Sequence, residues 1–172
     1  MIPQLSLIMG PCAGGAVYSP ALTDFVFMVQ DSSFMFVTGP DVVKTVVNEE
    51  VTKEELGGAK MHSTVSGVSH RAFQNDIEAI SSTRELMTFL PQSSAERRPD
   101  RVWTADDERN QSSGNVLNNV IPFDPNKPYQ MHIVIESVLD RNKFFEIMPD
   151  FAKNIVTGFG EVGGKVVGVV AN

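Results

Sequence analysis

Gly10-Pro-Cys-Ala-Gly-Gly-Ala-Val-Tyr-Ser-Pro20 is the stretch from which the fold can be read. The apolar run before it, Leu5 to Met9, predicts a buried strand bounded by turn residues. The residues after Gly14 and Gly15 predict the first turns of a helix. A strand that breaks into a helix through two glycines leaves backbone N–H groups without an intrahelical acceptor. The helix dipole adds partial positive charge at the same place. With no Cβ in the way, an oxyanion can approach that backbone closely. Adjacent glycines also serve tight turns and close packing, and spacing alone leaves both readings open.

Working outward, Phe25 to Val29 and Phe34 to Val37 predict two more strands. Gly39-Pro40 opens a helix through about Val47, with proline tolerated in the first turn. Thr52-Lys-Glu-Glu55 fits a capping box, and Gly57-Gly58 closes that short helix. A longer helix is predicted from about Arg71 to Leu90, ended by Pro91. Phe73, Ile77, Ile80, Met87 and Leu90 fall mostly on one face, which is expected to be its core face. From Gln92 to Lys127, polar and charged residues without a sustained period read as a linker. Trp103 and the patch from Val116 to Phe123 are candidates to pin it to a surface. His132 to Leu139 predicts a short helix. Two β-rich runs around Gly163-Gly164 predict a hairpin. The opening on a buried strand and the stop after a hairpin strand read as a fragment cut at both ends.

The 172 residues suffice for one ordinary core. A net charge of −7 argues against an electrostatic grip on nucleic acid or an anionic membrane surface. No run is long and apolar enough to span a membrane, and no basic segment precedes the first apolar run as in a signal peptide. Cys12 is the only cysteine, so neither an intrachain disulfide nor a multi-cysteine metal site is possible. Beside the glycine turn it reads as a small buried thiol rather than a nucleophile.

Other motifs lack their context. Gly158-Phe-Gly-Glu-Val-Gly163 has the G-x-G-x-x-G spacing but runs into a valine-rich strand instead of a helix. No G-x-S-x-G elbow is present. His62 and His70 are wrongly spaced for two ligands on one helix turn, and read as structural or surface histidines. No metal site is expected. Glu49-Glu50 and Glu54-Glu55 read as solvated helix faces and first-turn dipole partners. Asn110-Gln-Ser112 matches a glycosylation acceptor, which matters only in a secreted protein.

The segment from Gly10 to Asp24 resembles the signature of carboxyltransferase (beta) subunits of biotin-dependent acyl-CoA carboxylases, of the propionyl-CoA carboxylase type. The likeness continues through Thr38-Gly-Pro-Asp-Val-Val-Lys44, Glu55-Leu-Gly-Gly-Ala-Lys60 and Ser66-Gly-Val-Ser-His-Arg-Ala-Phe73. It resumes in Phe144-Phe-Glu-Ile-Met-Pro149 and Ala152-Lys-Asn-Ile155, and is weak from about Gln92 to Gln130.

The resemblance implies an α/β, crotonase-like (ClpP/crotonase) superhelix of ββα units, here truncated at both ends. Residues 1–91 would be the later part of the first carboxyltransferase domain, 92–130 a linker and 131–172 the start of the second domain. It implies transfer of a carboxyl group from carboxybiotin to the α-carbon of propionyl-CoA or another short acyl-CoA. Gly14 and Gly15 would form one oxyanion hole, most directly for the biotin ureido oxygen. The implied cofactor is biotin carried on a partner subunit, with a coenzyme A thioester as substrate and ATP used only at that partner. The implied partners are the biotin carboxylase/biotin carrier alpha subunit and further beta subunits in a homo-oligomer. The implied compartment is the mitochondrial matrix in a eukaryote and the cytoplasm in a bacterium. A non-catalytic interaction fragment and a methylmalonyl-CoA decarboxylase subunit are the alternatives. A hydratase or isomerase of the broader crotonase group would need a carboxylate beside the glycines, and none lies within the turn.

Overall fold

The computed structural model describes residues 1–98, 100–104, 107, 114–124 and 126–172, with only the backbone of 114–116. These fall into two compact units. Residues 1–95 with 148–153 form unit 1, and residues 96–147 with 154–172 form unit 2.

Unit 1 is built on parallel strands. β1 (Leu5–Ile8), β3 (Phe25–Val29) and β5 (Arg71–Phe73) form a three-stranded sheet in the order β1-β3-β5. β2 (Pro11–Ala13) and β4 (Phe34–Phe36) pair in parallel as a separate two-stranded sheet, with Cys12 opposite Met35. The central strand β3 is a continuous apolar run because both of its faces are covered. Val26 and Met28 join Ile8, Val17, Met35 and Ala59 in one core cluster, against which the half-buried Cys12 packs. By the two-residue period, Phe27 and Val29 point the other way. There Phe27 meets Phe73 edge to face, with ring centroids 5.3 Å apart.

Side chains cap two helix starts of unit 1, at Thr52 and Asn75, while its other helix starts have none. Ala13 is extended, and a 3-10 turn at Gly14–Val17 runs directly into α1 (Tyr18–Ala21). α2 (Pro40–Val47) carries proline at its start. α3 (Lys53–Gly57) has the predicted capping box. The Thr52 hydroxyl accepts from the Glu55 N–H, and the Glu55 carboxylate accepts from the Thr52 N–H. α4 (Ala59–Met61) leads into a π-helical turn at His62–Ser66, closed by Gly67 at φ 70°.

The predicted helix from Arg71 is corrected in two ways. Residues 71–73 are strand β5, in register with Phe27, Met28 and Val29. The helix α5 spans Asp76–Phe89, and the Asn75 side chain accepts from the Glu78 N–H at its head. Its buried face is Ala79, Leu86 and Phe89. Ile77, Ile80 and Met87, expected in the core, are exposed, Ile77 by 77%. Pairing with β3 claims Phe73, and the cap then sets the helix phase. Small Ala79 allows the close approach that isoleucine would prevent.

In unit 2, α6 (Gly114–Val120) is a helix where the sequence reads as irregular linker. Phe123, expected to help pin that segment, is fully exposed, whereas Trp103 is half-buried. The glycosylation match at residues 110–112 lies outside the described residues. α7 (Met131–Val138) precedes a three-stranded antiparallel sheet of β6 (Phe144–Ile147), β7 (Val156–Val162) and β8 (Lys165–Ala171). Gly163 and Gly164 turn the β7–β8 hairpin with φ 60° and 75°, the paired positive values of a type I′ turn. Gly158 and Gly160 lie within β7, and so do not open a nucleotide-binding helix.

Candidate functional site

The diglycine corner is a break between a strand and a helix. β2 delivers the chain through extended Ala13 to Gly14, which sits at φ 68°. A side chain is strained there, so the conformation favours glycine. Gly14 is half-buried and Gly15 exposed. A Cβ built on either residue meets nothing within 4 Å, so the space over both α-carbons is open. They are the first two residues of the turn, and leading N–H groups of a helix have no acceptor within it. The Gly15 carbonyl takes the Tyr18 N–H, which fixes the corner from behind. No carboxylate lies within the turn, and Asp24 instead accepts from the Gln4 N–H.

The histidines are set by main-chain partners. His70 Nδ1 accepts from the Val26 N–H at 3.1 Å, and its ring tilts against Phe25. Burial lowers its pKa below the ordinary histidine value. Protonation would also place a proton on the nitrogen that must accept. The unfolded state therefore binds this proton more readily than the folded state. The contribution is fully present above the ordinary value near ~6.5 and is lost as pH falls below it. Accordingly, the denaturation midpoint of unit 1 is expected to drop on acidification below that point. A His70→Asn variant should show less of this slope, read by hydrogen exchange of the Val26 amide. An identical slope in both proteins would remove His70 as the cause.

His62 is held on both ring nitrogens. Nε2 lies 2.6 Å from the Met35 carbonyl oxygen, and Nδ1 lies 2.7 Å from Ser66 Oγ. Sequence reading missed this pairing, although the four-residue spacing of His62 and Ser66 is the signal that could have found it. Among the described residues, no group of three metal-ligating side chains occurs, and no helix is long and apolar enough to cross a membrane.

Parallel strands alternating with short helices, as in unit 1, fit a crotonase-like fold. A solved transcarboxylase 12S structure, with hydrolysed methylmalonyl-coenzyme A bound, matches at a TM-score of 0.91 and 41% identity. It covers 99% of this chain and 33% of that one. The carboxyl transferase domain model matches residues 1–172, and the chain belongs to that family. The mitochondrial propionyl-CoA carboxylase beta chain of Homo sapiens is 55% identical over 172 residues, all of this chain and 31% of that protein. The methylmalonyl-CoA decarboxylase subunit alpha of Veillonella parvula is 49% identical over the same length, 33% of that protein. The chain thus spans about a third of the length of these curated relatives.

Proposed function

We propose that this chain supplies one oxyanion-binding corner of a biotin-dependent carboxyltransferase that converts propionyl-CoA, or another short acyl-CoA, to its α-carboxylated product. The observation that carries this reading is the Gly14–Gly15 corner, with its positive φ, leading helical position and open space. An oxygen of a planar ureido group fits such a corner, because no side chain stands between it and the backbone. Bound carboxybiotin, carried by a partner subunit, supplies the carboxyl group and a ureido oxygen on which negative charge develops.

The Gly14 and Gly15 N–H groups hold that oxygen. They do so without reorganising, since the positive-φ turn and the Tyr18-to-Gly15 bond already fix them. The turn itself carries no carboxylate to repel the developing charge. No side chain of the corner needs to titrate. In the family a second oxyanion hole faces the acyl-CoA from the second domain of a neighbouring beta subunit. The 172 residues alone are therefore expected to show little or no carboxyl transfer. The proposed partners are further beta subunits and a biotin-bearing alpha subunit. The proposed compartment is the mitochondrial matrix for a eukaryotic source and the cytoplasm for a bacterial one.

The test replaces the matching third of the Homo sapiens relative with this chain and measures incorporation of labelled bicarbonate into propionyl-CoA alongside the biotin-bearing partner. Turnover is expected from the graft and only background from the chain alone. A soluble graft without turnover would overturn the reading, and turnover by the isolated chain would overturn the need for a second domain.

A further inference from the structure

The proposed carboxyl transfer draws on no side chain of a second constellation in unit 1. His62 and Ser66 lie on the π-helical turn between α4 and Gly67. π-Turns are rare and concentrate at functional sites. The Met35 carbonyl can only accept, so the 2.6 Å contact places the ring proton on Nε2 of the neutral imidazole. Nδ1 is then the free lone pair, and Ser66 Oγ donates to it at 2.7 Å. Carbonyl, imidazole and hydroxyl thus form a chain in which the carbonyl orients the base and the base faces the alcohol. This is the arrangement that activates a serine.

Its surroundings suit that chemistry. Ser66 is exposed, so an incoming molecule can reach the hydroxyl. The Val68 N–H holds Oγ at 3.3 Å and leaves a lone pair free to attack. Val65, next to Ser66, is 64% exposed, and the Phe151 ring packs on Gly67 on the other side. Both offer apolar surface to an acyl chain. The base is anchored to strand β4, whose partner β2 runs into the diglycine corner.

We propose that Ser66 is a nucleophile with His62 as its general base, and that it accepts acyl groups from activated esters and short-chain thioesters. In the step, Oγ bonds to the acyl carbon, and its proton passes to His62 Nδ1 and then to the departing thiolate or phenolate. Water attacks the resulting serine ester with the roles reversed, which releases the carboxylic acid and restores the hydroxyl. The reaction needs no co-reactant besides water.

The test treats the 172-residue chain with a fluorophosphonate probe, from which a nucleophilic serine displaces fluoride, and maps the label by mass spectrometry. Label is expected at Ser66 and is expected to vanish in Ser66→Ala. That variant retains the His62–Met35 bond, so its unfolding midpoint should stay near that of the parent. Ser19→Ala, which removes an exposed serine outside this cluster, should label as the parent does. His62→Gln should slow labelling about 100-fold, the usual contribution of a general base. Should His62→Gln fail to fold, a burst of nitrophenolate from p-nitrophenyl acetate decides instead. A burst in the parent that Ser66→Ala abolishes supports the proposal, and no burst overturns it. Equal labelling of the parent and Ser66→Ala, or an unchanged rate in a folded His62→Gln, also overturns it. These outcomes are independent of carboxyl transfer, since neither Gly14 nor Gly15 takes part.

Discussion

Gly15→Pro in the grafted carboxyltransferase should lower kcat for carboxyl transfer by about 100-fold, with KM for the acyl-CoA near its starting value. Proline lacks the N–H, so the substitution deletes one donor and little else. The first turn of a helix is where proline is tolerated, because that N–H has no intrahelical acceptor. A Cβ at Gly15 meets nothing within 4 Å, so that side of the ring has room. Proline restricts the residue before it through that residue's N–H and Cβ, and Gly14 removes the Cβ part of the clash. The Gly15 carbonyl still receives the Tyr18 N–H. Gly15→Ala is the control, since it adds bulk and keeps the donor. Steady-state rates for the two variants separate a lost hydrogen bond from simple crowding. If both retain equal activity, the Gly15 amide does not meet developing charge, and the corner is only a turn.

The second large effect concerns unit 2. Arg101→Met should lower its unfolding temperature by roughly 10 °C, because it leaves buried carboxylates without their main counter-charge. The Arg101 guanidinium grips Asp107 with two bonds of 2.9 Å, reaches Asp140 at 3.1 Å and meets Glu161 at 2.6 Å. Asp107 has no exposed surface and Asp140 only 5%. Asp140 in turn accepts from the Gly163 and Gly164 N–H groups, and the Arg101 N–H donates to the Gly164 carbonyl. One arginine therefore ties an incoming chain segment to a hairpin turn. Trp103, the only tryptophan, lies two residues away and provides the fluorescence readout.

The same cluster sets an acid limit. Hydrogen bonds from Arg101 hold the Asp107 carboxyl well below the usual range, and Thr104 adds to this. Burial works to raise Glu161, but bonds from Arg101 and Arg98 outweigh it and keep it low. Carboxyls held low in the folded state stabilise it above their unfolded value near ~4, and that contribution is lost as pH falls below it. Arg101→Met should flatten this acid dependence as well as lower the midpoint. A variant as stable as the parent, with the same acid profile, would show that Arg141 and Thr104 satisfy Asp107 unaided.

What could be read from the chain follows the reach of each interaction. The capping box at Thr52 and Glu55 is legible because its partners are three residues apart and chemically distinctive. Arg71 to Phe73 reads locally as helix, and is strand because its partners, Phe27 to Val29, lie more than forty residues away. Apolar spacing in the following helix pointed to Ile77, Ile80 and Met87. The buried side is instead the one that offers Ala79 to the sheet. Within the site, Gly14 and Gly15 announced themselves as adjacent glycines after an apolar run. The link from His62 to Met35 spans 27 residues, and no local pattern could have shown it.

The chain by itself determined its corners. Gly14 at the strand break and Gly163-Gly164 at the hairpin are positions where positive φ excludes most side chains, so glycine there signals its own conformation. Proline at the head of α2 and Thr52 at that of α3 mark helix starts by the same local logic. Only the tertiary structure decided which face of α5 is buried, which carboxylates Arg101 neutralises and which carbonyl orients His62. Those outcomes depend on strand register and on the cost of burying an unpaired charge, and both are set by residues distant in the chain.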